Sequence, residues 1–229
     1  MRVMINNIIQ QRNSSFQLDK NVDGTMLLNF SWLTFLSMLR SIKLILRAKN
    51  PRLAMIGKSV KFSHINRIHF GKYLKLGDGV HLSGLGKAGV ILGDNVGIGA
   101  YSRVVASTSL NNLGVGIKIG NNVGIGEFAY LGGGGGLTIG DDCIVGQYFS
   151  CHPENHNYAD SSELIRLQGV SRRGIVIGSN CWVGSKVTIL DGVSIGDNCI
   201  IAAGAVVNQS FPSNCVIGGV PAKILKTIK

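Results

Sequence analysis

The sequence predicts an all-β repeat fold of short extended segments joined by tight corners, with a basic helical extension at its front. Three observations predict it. Aliphatic residues, many followed by glycine, recur six positions apart; small or β-branched residues dominate four positions after them; and the excess of Lys and Arg is confined to the first third of the chain.

The repeat comes first because it decides the fold. Leu92, Ile98 and Val104 form one series, Ile119, Ile125 and Leu131 a second, and Ile139 and Val145 a third. Ile177, Val183, Ile189, Ile195, Ile201 and Val207 form the longest. A period of six is not helical. It suits strands that send a large aliphatic and then a small residue inward. The small slot holds Val96, Ser102, Val123, Ala129, Cys143, Cys181, Val187, Val193, Cys199 and Ala205. The triplets GDN, GNN and GSN between strands tolerate the positive φ of sharp corners.

The extension precedes this body. The net charge of +11 over 229 residues is uneven: residues 1–75 hold 13 Lys/Arg and two Asp/Glu, and residues 76–229 hold ten of each. This argues against a nucleic-acid binder, which needs a basic stripe on its folded body. The first residues lack the apolar core and cleavage site of a signal peptide. MLLNFSWLTFLSML (26–39) is too short to span a bilayer. With Arg40, Lys43, Arg47 and Lys49 it reads as an amphipathic helix behind a loosely structured leader, ending by Pro51. Residues 26–48 are thus expected to touch an anionic membrane surface or to pack on protein. The five cysteines, odd in number and without paired spacing, read as reduced buried thiols and favour the cytosol.

Together the hexapeptide units resemble the hexapeptide-repeat family, whose fold is a left-handed parallel β-helix with three units per coil. The resemblance divides the chain into a basic extension (1–50), weakly patterned opening coils (51–75), the β-helix (76–223) and a C-terminal tail (224–229). SLNNLGVG (109–116) and GGGGGLT (132–138) interrupt the period, the glycines reading as a flexible corner. The longest interruption, 151–175, contains CHPENHNYADSSELIRLQGVSRRG.

That insertion, followed by IGSNCWVG, VTILDGVSIG, IAAGAVV and GVPAK, resembles the sugar and xenobiotic O-acetyltransferase branch of the family. The resemblance implies acetyl-CoA as cosubstrate, no required metal, a homotrimer with sites between subunits, and a loop histidine as general base. His156, in NHNY, is the preferred base, and His152, in CHP, is its competitor or helper. A neutral imidazole can take a proton from a sugar hydroxyl attacking a thioester. Glu154, Asp160 and Glu163 are candidates to orient the ring. The resemblance places CoA along Trp182, Gly184, Ser185, Ala203, Gly204, Pro221, Ala222 and Lys223, with Lys226 a further candidate for a phosphate.

A saccharide of a surface polysaccharide, lipopolysaccharide or glycoconjugate is the expected acceptor, with the enzyme cytoplasmic or peripheral to the inner face of the membrane. The same chemistry leaves open an amino-sugar N-acetyltransferase or a xenobiotic acetyltransferase. Two more distant readings are a noncatalytic scaffold and a γ-type carbonic anhydrase, the latter because His64 and His69, with His81, have a zinc-like spacing.

Overall fold

The computed structural model describes residues 2–10 and 15–228. Residues 1, 11–14 and 229 lie outside it, so the basic extension and the tail are described only in part. The body is a left-handed parallel β-helix with three faces, formed by a nine-stranded, a seven-stranded and a six-stranded sheet. One coil shows the path. Trp182–Val183 belongs to the nine-stranded face, Thr188–Leu190 to the seven-stranded face and Ser194–Ile195 to the six-stranded face. Each strand pairs in register with the equivalent strand of the next coil, as in Trp182↔Ile200 and Thr188↔Val206.

The period-six residues form the core. Every aliphatic of the four series is buried, and so is every residue of the small slot. Close packing inside leaves each coil to seat the next through dispersion and apolar burial. Cys143, Cys181, Cys199 and Cys215 fall one above another, because their following residues pair in register from coil to coil. All five cysteines are free and buried. The Cys143 and Cys181 thiols donate to the carbonyls of Gly178 and Gly196. Burial pushes the Cys151 thiol well up, which keeps it protonated and inert.

The corners use left-handed backbone. Asn95, Asn122, Asp142, Asn180, Asn198 and Asn214 all have φ between 54° and 63°. Their side chains hydrogen-bond between coils, Asn95 to Asn122 at 3.1 Å and Asn180 to Asn198 at 2.8 Å. At another corner Tyr101, Phe128 and Tyr148 stack with centroids 5.4 and 5.1 Å apart.

The opening coils differ from their sequence reading. Regular pairing begins at Met55, with Met55↔Lys75 and Ile56↔Leu76, so the lower part of the basic third lies on the folded body. Their pattern is weak because successive residues in the stack are 20 apart here, against 18 in the best-patterned coils. The additional residues sit in corners, where they blur the period without moving the inward positions. His69 projects from the six-stranded sheet and His81 lies on the seven-stranded one, while His64 occupies a left-handed turn.

Both ends of the chain also correct expectations. The leader contains a helix, α1 (Arg2–Gln10), with Ile5 buried and the Asn6 side chain accepting from Leu18 N–H at 2.9 Å. Helix α2 (Gly24–Arg40) starts at the N-cap Asp23, whose carboxylate accepts from Met26 N–H at 2.8 Å. A short α3 (Ile42–Ile45) follows, and its Leu44 is buried in the β-helix core. In α2 only Leu27 is buried; Met26, Phe30, Trp32, Leu33, Phe35 and Leu39 face outward around the helix rather than along one stripe. No helix among the described residues is long and apolar enough to cross a membrane. At the other end, residues 224–227 are not a free tail. They continue the strand Ala222–Thr227, which folds back antiparallel on Cys215–Gly219 and covers its outer edge.

Candidate active site

The insertion grows from the seven-stranded face. Ser150–His152 is a regular strand of that sheet, with Cys151↔Ile189 and His152↔Leu190 in register. The departure from the coil therefore begins after His152. Cys151 points into the core, so its neighbours Ser150 and His152 point outward. The His152 ring stacks on Tyr130 of the preceding coil, centroids 5.5 Å apart. Beyond Pro153 the chain forms a two-stranded antiparallel hairpin, Asn155–His156 against Val170–Ser171. His152 thus sits on the rigid scaffold and His156 on the hairpin.

Both histidines line one cavity of about 230 Å³, shared with Tyr130, Gly132–Gly134, Glu154, Arg172, Ser107 and Thr108. Arg172 fastens its wall. Its Nε donates to Glu154 Oε2 at 2.8 Å, and its Nη1 donates to Asn112 Oδ1 at 2.9 Å and to the Leu113 carbonyl at 3.2 Å. One guanidinium therefore ties the hairpin, the start of the insertion and the 109–116 interruption together. Asp191 anchors the hairpin's return: its buried carboxylate accepts from Arg173 N–H at 2.9 Å and Gly174 N–H at 2.8 Å. The hairpin tip is organised by Gln168, which donates to the carbonyls of Asp160 and Glu163 and accepts from Asp160 N–H.

The three proposed orienting carboxylates are placed otherwise. Glu154 is taken by Arg172. Asp160 accepts from the Ser162 hydroxyl and backbone N–H, and these bonds hold its carboxyl below the usual range. Glu163 is exposed, near the tip. Among the described residues no carboxylate hydrogen-bonds to either histidine ring. Arg172, Asp191 and Tyr130 escaped the sequence reading because each acts through residues distant in sequence; the break in period at 175 was the only local signal.

The glycine run is a packing floor rather than a flexible corner. A Cβ on Gly135 would lie 2.3 Å from the Pro153 carbonyl oxygen, and one on Gly134 would lie 2.7 Å from Glu154 Oε2. The first contact is with backbone, so the insertion itself would have to lift. Gly135→Ala is expected to cost about 1–3 kcal/mol and to lower transfer activity, read by thermal unfolding beside the assay. Unchanged melting and rate would contradict this role.

The expected CoA residues divide into two groups. Trp182, Gly184, Ser185 and Ala203 line a groove of about 450 Å³ along the nine-stranded face and its corner. Trp182 is exposed, and Ser185 Oγ donates to Gln147 Oε1 at 2.8 Å. Gly204 follows Ala203 in the same corner, where a Cβ would meet nothing within 4 Å. Pro221, Ala222 and Lys223 lie at the turn of the terminal hairpin instead. Ala222 is fully buried, so its side chain is part of the core and offers a ligand at most its backbone.

The bacterial transferase hexapeptide (six repeats) family profile matches residues 174–209. The match spans the longest hexapeptide series, from Ile177 to Val207. Among curated relatives, it is 27% identical over 166 residues to a putative lipopolysaccharide biosynthesis O-acetyl transferase, WbbJ, of Escherichia coli K12, covering 69% of this chain and 71% of that protein. It is 35% identical over 96 residues to galactoside O-acetyltransferase of the same organism, covering 40% of this chain and 44% of that protein. A solved structure of AntD, an N-acyltransferase from Bacillus cereus, shares the fold with a TM-score of 0.50 at 18% identity, covering 77% of this chain and 84% of that chain. Both of these curated relatives are named O-acetyltransferases.

Proposed function

We propose that the protein transfers an acetyl group from acetyl-CoA to a hydroxyl of a saccharide, in a surface polysaccharide, lipopolysaccharide or glycoconjugate. The observation that carries this reading is the convergence of His152 and His156 on one cavity at the main break of the repeat. The relatives' names supply the acetyl group and, for two of them, the sugar.

His156 acts as general base. Its imidazole takes the hydroxyl proton as the oxygen attacks the thioester carbonyl carbon. The C–S bond then breaks, the ester forms, and the same proton passes to the departing CoA sulfur. His152, held by its strand and by Tyr130, positions the acceptor or shares the proton. The acetyl-CoA arm follows the Trp182 groove. That groove lies on the nine-stranded face and the histidine cavity on the seven-stranded face, so one chain does not place them side by side. A homotrimer in which one subunit's groove meets its neighbour's histidines resolves this.

The acceptor is found by incubating the protein with 13C-acetyl-CoA and a panel of sugars, then reading products by mass and NMR. The proposal expects an acetyl ester on oxygen. An acetamide would replace it with an amino-sugar acceptor, and release of acetate alone on every sugar would refute it.

Helix α2 carries a further part of this reading. Its exposed Phe30, Trp32, Leu33 and Phe35, followed by Arg40 and Lys43, suit the surface of an anionic membrane. Full-length protein is expected to sediment with vesicles containing anionic lipid, and the same chain with Phe30, Trp32, Leu33 and Phe35 changed to serine to remain in solution. Equal partition of both would remove the membrane role.

A further inference from the structure

On the seven-stranded face two cations, Lys61 and Arg103, flank His81 in a column that leads into the histidine cavity. Lys61, His81, Arg103 and Tyr130 follow one another in register, each from the strand above. Lys61 and Arg103 are exposed and His81 is half-buried. Tyr130 is the residue stacked on His152, so the column ends at the proposed catalytic centre. Arg47 sits at its far end, donating to the Phe62 carbonyl at 3.4 Å with its guanidinium over the Phe62 ring. Among the described residues no carboxylate forms an ion pair with Lys61 or Arg103; the two ion pairs there use Arg172 and Arg173. These are therefore cations stacked on a flat sheet face without anionic partners.

The ladder repeats at roughly 5 Å per strand, a rise comparable to one sugar unit of an extended glycan. Beside the cations runs a second register column, Ser63 and Ser83 followed by Val105 and Gly132, small and partly polar. The Ser63 hydroxyl lies 3.0 Å from His81 Nε2. Burial, and then the charges of Arg103 and Lys61, hold the His81 imidazole below its usual range. A bound anion would offset the like charge of Lys61 and Arg103 on either side of His81.

We propose that this column is an extended acceptor subsite for an acidic saccharide, whose carboxylate- or phosphate-bearing units lie over Arg103, His81 and Lys61 while the unit to be acetylated reaches Tyr130 and the histidines. The proposal rests on the saccharide reading above and narrows it to anionic glycans. Nucleic acid would also be drawn to cations, but this column leads to a cavity built to take a hydroxyl rather than to a stacking platform.

Binding of the full chain is measured by calorimetry, without acetyl-CoA, at two salt concentrations. The probes are a uronic-acid oligosaccharide, an oligosialic acid, a neutral glucan of equal length and a single-stranded oligonucleotide. At least one acidic glycan is expected to bind, and more weakly at higher salt. The Lys61→Glu/Arg103→Glu variant loses that affinity about tenfold or more, while Lys61→Arg/Arg103→Lys retains most of it. Both variants melt as the parent does, since these side chains point outward. Equal binding of the neutral glucan, no binding of any acidic glycan, an affinity indifferent to the charge reversal, or tighter binding of the oligonucleotide would each overturn the proposal. Because the readout is binding alone, a protein that holds acidic glycans on this column but transfers nothing would refute the transfer reading and keep this one.

Discussion

His156→Ala lowers the rate of acetyl transfer about 10²–10⁴-fold, the range expected for loss of a general base. The loss falls on kcat, because a base acts in the transition state and not in the binding of either substrate. The fold is expected to survive: His156 is exposed, and the side-chain hydrogen bonds that hold its hairpin come from Asn157, Gln168, Arg172 and Asp191 rather than from its ring. His152→Ala separates the two histidines. If His152 positions the acceptor, its loss raises KM more than it lowers kcat, because it removes the ring that stacks on Tyr130. A larger fall in kcat for His152→Ala than for His156→Ala would exchange their roles. Steady-state kinetics on both variants, with melting temperature as a control, decides between them.

Arg172→Ala is expected to have the second largest effect. Its side chain is only 20% exposed and ties Glu154 to the 109–116 interruption. Removing it leaves Glu154 without its cation and frees two loops that wall the histidine cavity. The stability cost is about 1–3 kcal/mol, since the pair is partly solvated rather than sealed. The catalytic cost is larger, because a displacement near 1 Å of a reacting group costs about a hundredfold. Arg172→Lys keeps the charge but not the planar fork that reaches Glu154 and Asn112 together, so it restores only part of the activity. Full activity in Arg172→Ala would show that the clamp is not needed to hold the cavity.

Much of the scaffold could be read in the chain because its contacts repeat. Each inward residue from Leu92 to Val207 meets the same kind of neighbour one coil away, so the period carries the packing directly. The opening coils were less legible because added corner residues shift the period without disturbing the inward positions of Ile56, Leu76 and Leu82. The site was legible only as a break. NHNY and CHP marked two histidines, but their shared cavity depends on Arg172 meeting Asn112, sixty residues away, and on Asp191 holding Gly174. No period encodes such contacts. The glycine run misled for a related reason. Five glycines look flexible alone, and their need for close approach appears only when Pro153 and Glu154 are packed above them. The carboxylates near His156 were named from proximity in sequence, whereas Arg172 and Ser162 compete for them successfully in space.

The central claim is that an acetyl group passes to a sugar hydroxyl with these histidines moving the proton. The most direct test is transfer from 13C-acetyl-CoA to the acceptor found in the sugar panel, by the parent chain and by the His152→Ala/His156→Ala double variant. The account predicts an ester carbonyl signal on the saccharide with the parent and its loss to near the uncatalysed rate in a double variant that still melts normally. Retained transfer by the folded double variant would contradict it.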